Sequence, residues 1–259
     1  MKVFIIIPAR NEERRIAKTL DDYGKFAKKF GNIKIIVVSE STDGTNKTVM
    51  EAASKYGNIK LIEAREGAGK GGAIMKGFRH ALGAGGEFIG FADADDAVTS
   101  RQFLKLVKTL ETNTELDGVI ASRYVKGGRI IGKIGLARKI ASRAYNILVR
   151  LLFRVGFKDT QCGAKVFRSS AIRAVMHLID ITGMSFDINL LYEMKLKGFN
   201  INEVGIDYVQ RNEGTRVHII RNSPQMLLAA LGFRTYKSRF AKLLPRPLVM
   251  YVYNRIDKW

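Results

Sequence analysis

EFIGFADADDA, residues 87–97, runs an apolar stretch straight into three carboxylates, Asp93, Asp95 and Asp96. Like charges this close repel one another. Asp is a common turn residue and helix N-cap, so one of the three could serve the helical pattern at 100–112. A divalent cation accounts for the group as well, because carboxylate oxygens suit Mg²⁺ or Mn²⁺. The surrounding sequence decides between the two.

VFIII (3–7), IKIIVV (33–38), IKLIEA (59–64), EFIGFA (87–92) and GVIAS (118–122) read as strands. Helical stretches lie near 12–29, 45–56, 70–84 and 100–112. Continuous apolar strands separated by helices indicate an α/β fold with a mostly parallel central sheet flanked by helices. In such doubly wound sheets ligands bind beyond the carboxyl ends of the strands. PARNEE follows the first strand, SESTDGT the second, REGAGKGG the third and DADD the fourth. The four clusters should face one crevice. In that company Asp93 and Asp95 read as metal ligands that bridge to a diphosphate, and Asp96 as the turn or capping residue.

The other clusters are less specific. Glu40 and Asp43 could hydrogen-bond a ribose or base edge, although Ser/Thr/Asp-Gly is also ordinary turn and capping chemistry. EGAGKGGA (66–73) could offer backbone amides and Lys70 to phosphates. It is not a Walker A loop, because Gly71 stands where Ser or Thr should follow the lysine. His80, His177 and His218 show no ligand spacing and read as structural. Cys162 reads as a small packing residue. There is no Gly-x-Ser-x-Gly elbow.

The 259 residues are 46% hydrophobic, with no apolar run near the ~20 residues that span a bilayer. VFIIIPA at the N-terminus is too short for a secretory signal. The expectation is a chain without export signal or transmembrane anchor, and a single cysteine fits a reducing compartment. Net charge is +20 and uneven: residues 1–125 carry 20 basic and 16 acidic side chains, residues 126–259 carry 24 and 8. Residues 126–158 and 214–256 hold no acid at all. Such a surface implies a polyanionic partner, either nucleic acid or an anionic membrane.

A long basic helix is expected at 133–155. Lys139, Arg143, Arg150 and Arg154 share one face of it, and Ile140, Ala144, Ile147, Leu148, Leu151 and Val155 fill the adjoining one. That pattern reads as a membrane-surface helix. NINEVGIDY (200–208) reads as a late strand and 222–243 as a further helix, before an aromatic, basic tail.

IPARNEE, STDGT, GKGGA, FADAD, SRYVKGG, DTQCGAKVF and the Phe-Asp at 186–187 occur in this order from residue 3 to about 225. Together they resemble the family-2 glycosyltransferases that load a sugar onto a polyprenyl phosphate, the dolichyl-phosphate glucose and mannose synthases. The resemblance implies a glycosyltransferase A-type (Rossmann-like) fold, a nucleotide sugar donor and a dolichyl or polyprenyl phosphate acceptor. It places Pro8, Ala9, Arg10, Asn11, Glu12, Glu40, Asp43, Lys70, Asp93, Ala94 and Asp95 around the donor, with Asp93 and Asp95 on Mg²⁺ or Mn²⁺. Arg123, Arg138, Ser142 and Arg216 match positions around the acceptor phosphate, and Asp95, Arg123, Asp187 and Arg216 are the implied catalytic set. Relatives usually carry Asp-Asp where this chain has Ser39-Glu40, and many mannose synthases carry Gln where it has Ala97. KDTQCGAKVF and FADADDA look more like the glucose synthases, which favours UDP-glucose, with GDP-mannose the alternative.

The implied chemistry is self-consistent. A phosphate monoester is already an anion and needs no base to strip a proton. Direct displacement inverts the anomeric centre, and Asp187 either orients the sugar or an arginine, or caps the helix at 188–197. On this reading residues 1–225 form the catalytic domain and 226–259 a basic membrane-associating segment. The protein would sit peripherally on the cytoplasmic face of an anionic membrane. A sugar-nucleotide pyrophosphorylase would carry a Gly-rich loop after the first strand, where PARNEE stands. A nucleic-acid binder would interleave aromatics with its basic runs, which this chain does not.

Overall fold

The computed structural model describes residues 1–133, 135–179, 183, 185–211 and 230–235. Five strands fall where the apolar runs place them: β1 (Val3–Ala9), β2 (Ile33–Ser39), β3 (Ile59–Glu63), β4 (Phe88–Ala92) and β5 (Gly118–Ser122). Helices α1 (Ile16–Phe30), α2 (Thr45–Tyr56), α3 (Gly69–Gly83) and α4 (Ser100–Thr112) connect them. The second half adds β6 (Arg129–Ile131), α5 (Leu136–Phe153), β7 (Ala164–Arg168), α6 (Ser169–Val175), α7 (Phe186–Leu196), β8 (Ile201–Gly205) and β9 (Asp207–Val209).

The main sheet has the order β3-β2-β1-β4-β7-β5-β8, and β6 and β9 pair separately. All its neighbouring strands are parallel except β7, which runs against both β4 and β5. Side-chain alternation sends Val3, Ile5 and Ile7 of β1 to one face, against Leu20 and Tyr23 of α1 and Phe103 of α4. Phe4 and Ile6 go to the other face, against Ile74 and Phe78 of α3, Ile172 of α6 and Leu190 of α7. The order reverses between β1 and β4, which opens a crevice at their carboxyl ends. Pro8 is tolerated in the central strand β1 because of register. Val3 N–H donates toward β2, to Asn32 O, so even-numbered residues aim at β4, whose pairing ends at Ile6↔Phe91.

Several boundaries differ from expectation for local reasons. Helix α1 begins at Ile16, because a turn held by the Arg15–Glu12 ion pair precedes it. None of the three aspartates after β4 caps α4. Asp22 of α1 does so, accepting from Ser100 N–H at 2.7 Å and Ser100 Oγ at 2.9 Å. The strand expected at 200–208 is two strands in different sheets, β8 and β9, separated at Ile206.

Helix α5 ends at Phe153, with Arg154 in left-handed backbone (φ 52°), so Val155 is buried beyond the helix. Asn146, Val149 and Phe153 turn inward, and Phe153 packs with Tyr192 and Phe233. Ile140, Ile147 and Leu151 are exposed, as is Leu136 in the first turn. Among the described residues no helix is long and apolar enough to cross a membrane. Residues 230–235 are helical; the rest of the expected helix at 222–243, the tail and the 225/226 boundary lie outside the described residues.

Candidate functional site

The carboxyl ends of β1, β2, β3 and β4 and the amino end of the antiparallel β7 meet at one edge, where Ala92 pairs with Ala164. The loop before β7 therefore arrives beside DADD. Asp93 N–H donates to Gly163 O at 2.9 Å. The fit is close: with Asp93 where it stands, a Cβ on Gly163 would lie 2.0 Å from Asp93 Oδ2.

Four charged groups then form a chain from the core to the crevice. Lys165, fully buried on β7, donates from Nζ to Cys162 O at 2.8 Å and Asp187 Oδ1 at 2.5 Å. Asp187, in the first turn of α7, has its other oxygen 3.5 Å from Lys70 Nζ. Lys70 Nζ is 2.8 Å from Asp93 Oδ1. Both ammonium groups also lie over the Phe91 ring, at 5.8 Å for Lys70 and 5.2 Å for Lys165. Burial alone would raise the Asp187 carboxyl, but Lys165 and Lys70 hold it below its usual range. Burial works against the Lys70 charge, yet Asp187 and Asp93 hold its pKa above the usual lysine value. Asp187 is thus neither a helix cap nor an arginine clamp; it joins two lysines. Burial pushes the Cys162 thiol up to about 12, which keeps it an inert packing residue.

Asp95 sits differently. Its Oδ1 accepts from Ala97 N–H at 3.1 Å, and it has no salt-bridge partner among the described residues. Burial, and next the charge of Asp93, raise its carboxyl above the ordinary range. Two carboxylates, one repelled by the other and without a cation of its own, are a donor set that suits a hard divalent ion. No third His, Cys, Asp or Glu joins them in a metal-sized group among the described residues. Ligand oxygen or water would have to complete the shell. Asp96 is a turn residue (φ 54°) whose Oδ2 accepts from Arg211 Nη2 at 2.5 Å.

Over the carboxyl ends of β1, β2 and β3 lies a cleft of about 310 Å³, lined among others by Arg10, Asn11, Glu40, Thr42, Asn46 and Glu63. Glu40 does not point freely into it. Its two oxygens accept from Gly67 N–H at 2.6 Å and Gly69 N–H at 3.1 Å, so it braces the Gly-rich loop. Asp43, just before the N-cap Gly44 of α2, accepts from Thr45 N–H at 3.0 Å, which is the turn chemistry its neighbours suggest. Asn11, in left-handed backbone (φ 52°), ties the first loop to the second through Thr42 N–H and Ser41 Oγ. Glu12 pairs with Arg15. Pro8 and Ala9 are buried in β1, and Ala94 is buried with its carbonyl held by Thr19 Oγ1 at 2.7 Å. These three offer packing to the site, not side chains. Asn46, which sequence reading passed over, lines the cleft with an Oδ1 that is buried and without a hydrogen-bond partner among the described residues.

The acceptor set is rearranged most. Arg123 is not a free cation: Nε and Nη2 hold Asp159 at 2.7 and 2.8 Å, and its N–H donates to the same carboxylate. Ser142 Oγ is 3.0 Å from Tyr124 Oη, and the Arg143 guanidinium stacks 4.3 Å from that ring. Arg138 lies on α5, its side chain outside the described atoms, and Arg216 lies outside the described residues. Asp159 and Lys165 were not singled out from sequence, although both sit in DTQCGAKVF. A lysine followed by the apolar pair Val166-Phe167 was the available signal for the second.

A sequence model described as glycosyl transferase family 2 matches residues 4–175. The chain is 30% identical over 235 residues to a dolichyl-phosphate beta-glucosyltransferase of Dictyostelium discoideum, covering 86% of this chain and 70% of that one. It is 28% identical to an undecaprenyl-phosphate mannosyltransferase of Micrococcus luteus, over 83% of this chain and 86% of the relative. Among solved structures, a mannosyltransferase from Pyrobaculum calidifontis in complex with GDP-Man and Mn²⁺ superposes with a TM-score of 0.62. Identity there is 18%, across 98% of this chain and 68% of the other, so the likeness bears on fold: the glycosyltransferase A type.

Proposed function

Because the chain belongs to glycosyltransferase family 2, we propose that it moves a hexose from a nucleotide sugar to dolichyl or polyprenyl phosphate at a membrane surface. The donor is UDP-glucose in preference to GDP-mannose, and the product is a β-linked lipid-phosphate sugar formed with inversion. The observation that carries this reading is Asp93 and Asp95 following β4 at the same sheet edge as the cleft over the ends of β1, β2 and β3.

Each residue has a definable task. Asp93 and Asp95 hold Mg²⁺ or Mn²⁺, which when bound supplies charge stabilisation to the leaving diphosphate. Lys70 adds a second positive charge next to them. Arg10, Asn46 and the braced Gly67–Gly69 loop face the nucleoside. Asp187, held between two ammonium groups, is a poor base, and an acceptor that is already ionised needs none. Arg138 and Arg216 remain the acceptor-phosphate residues of this proposal. Arg123 is held rigidly by Asp159.

The exposed face of α5 supports a peripheral position on the membrane. Leu136 and Leu151 are 72% and 73% exposed, and Ile140 and Ile147 are exposed between them. Lys139, Arg143 and Arg150 are exposed on the same helix. Apolar side chains flanked by cations suit an interface of acyl chains and anionic headgroups. We assign 1–225 to catalysis and 226–259 to membrane association, on the cytoplasmic face where such donors occur. The test is transfer of labelled hexose from UDP-glucose or GDP-mannose to polyprenyl phosphate in vesicles. Loss of transfer in EDTA and recovery with Mn²⁺ are the expected outcomes.

A further inference from the structure

Lys70 stands between two carboxylates with different surroundings. Asp93 is the outer one, its side chain 37% exposed to the crevice; Asp187 is buried, with 3% exposure. Lys165 already neutralises Asp187 from below, so Asp187 keeps a partner whatever Lys70 does. The backbone of Lys70 is fixed in the first turn of α3. The next residue, Gly71, lets α7 approach closely: a Cβ there would lie 2.6 Å from the Phe186 ring. That approach brings Asp187 within reach of the Lys70 ammonium. The side chain can therefore shift between its contacts at 2.8 and 3.5 Å without backbone movement.

We propose that Lys70 is the resident counter-ion of the Asp93–Asp95 pair: its ammonium neutralises Asp93 until a divalent cation takes that carboxylate, and then transfers to Asp187. This rests on the metal site proposed above. A divalent ion on Asp93 and an ammonium 2.8 Å from the same carboxylate would repel strongly, and Asp187 is the anion available to receive the displaced charge. After the transfer, two ammonium groups share one buried carboxylate. The crevice then carries an excess positive charge directed at an incoming diphosphate. Metal alone is thus held weakly, and donor and metal are held together.

Binding of Mn²⁺ alone to the full chain, followed by the electron paramagnetic resonance of the free ion, tests this. Removing the competing charge in Lys70→Met should tighten Mn²⁺ about tenfold and weaken UDP in the presence of Mn²⁺ by a similar factor. Lys70→Arg keeps the charge and holds a carboxylate by a two-pronged fork, so Mn²⁺ should bind about threefold weaker or worse. Lys18→Met removes another cation of this edge, 3.6 Å from Asp96, and should leave Mn²⁺ affinity within about twofold. Unchanged or weaker Mn²⁺ binding in Lys70→Met would overturn the proposal. So would an equal gain in Lys18→Met, or an unchanged or tighter ion in Lys70→Arg, which also decides the matter should Lys70→Met not fold. Wild-type protein that binds no Mn²⁺ even with UDP present would overturn the metal site itself.

Discussion

Lys165 and Asp187 form a fully buried ion pair 2.5 Å long, 22 residues apart in sequence and joined across β7 and α7. Breaking such a buried pair by removing one partner costs about 3–5 kcal/mol, and Lys70, 3.5 Å away, compensates Asp187 only in part. Lys165→Met should lower the unfolding free energy by about 3 kcal/mol at neutral pH, measured by urea denaturation.

The same pair sets a pH dependence. The Asp187 carboxyl is held below its ordinary value of 3.8, so its contribution is complete above that value and is lost as pH falls through the lower folded value. The stability gap between wild type and Asp187→Asn should stay constant between about pH 5 and 8 and narrow below about pH 4. A gap that widens on acidification would contradict the ion pair.

Gly163→Ala puts a Cβ 2.0 Å from Asp93 Oδ2, the far end of a short side chain that faces the crevice. The carboxylate can swing away, so stability should change by less than about 1 kcal/mol. Mn²⁺ affinity measured with UDP should fall about tenfold, since one of two protein ligands is displaced. Unchanged affinity would mean that Asp93 is not a ligand.

Arg123 and Asp159 should behave as a unit of stability. Asp159 is fully buried, and three N–H groups of Arg123 converge on it. Arg123→Met and Asp159→Asn should each cost about 3 kcal/mol, and the double variant little more than either, a coupling of about 2–3 kcal/mol in chemical denaturation. Additive losses would mean that Arg123 acts as an independent cation.

The strands and the crevice were legible because β1 to β5 are apolar runs, each closed by a polar, Gly- or Asp-rich cluster. Strand β7 was not, because Lys165 interrupts its apolar character and its meaning depends on Asp187, a partner that only folding supplies. DTQCGAKVF was recognisable as a motif, whereas the antiparallel direction that carries it to Asp93 was not. Glu40 and Asp43 looked like nucleotide ligands because a carboxylate at a strand end can hold either a ribose or a backbone amide. In the fold these carboxylates accept from the amides of Gly67, Gly69 and Thr45, contacts that sequence alone does not distinguish from a ribose. In α5 the apolar and basic residues are as the helical period arranges them; that the apolar Ile140, Ile147 and Leu151 face outward follows from Asn146, Val149 and Phe153 taking the contact with the body.

That outward face gives a separate expectation. Leu136→Gln with Leu151→Gln should weaken sedimentation with phosphatidylglycerol vesicles at least tenfold, since each leucine buried in the interface contributes about 1.5–3 kcal/mol. The melting temperature should be unchanged, because both side chains are already exposed in the folded protein. Equal vesicle binding by the double variant would remove α5 from the membrane contact.

The most direct measurement is hexose transfer to vesicle-borne polyprenyl phosphate by wild type and Asp95→Asn, with UDP-glucose and GDP-mannose in parallel and Mn²⁺ present or chelated. Transfer from UDP-glucose that needs the cation and falls at least about a hundredfold in Asp95→Asn is the predicted result. Undiminished transfer in EDTA and in Asp95→Asn, or no transfer from either donor, would contradict it.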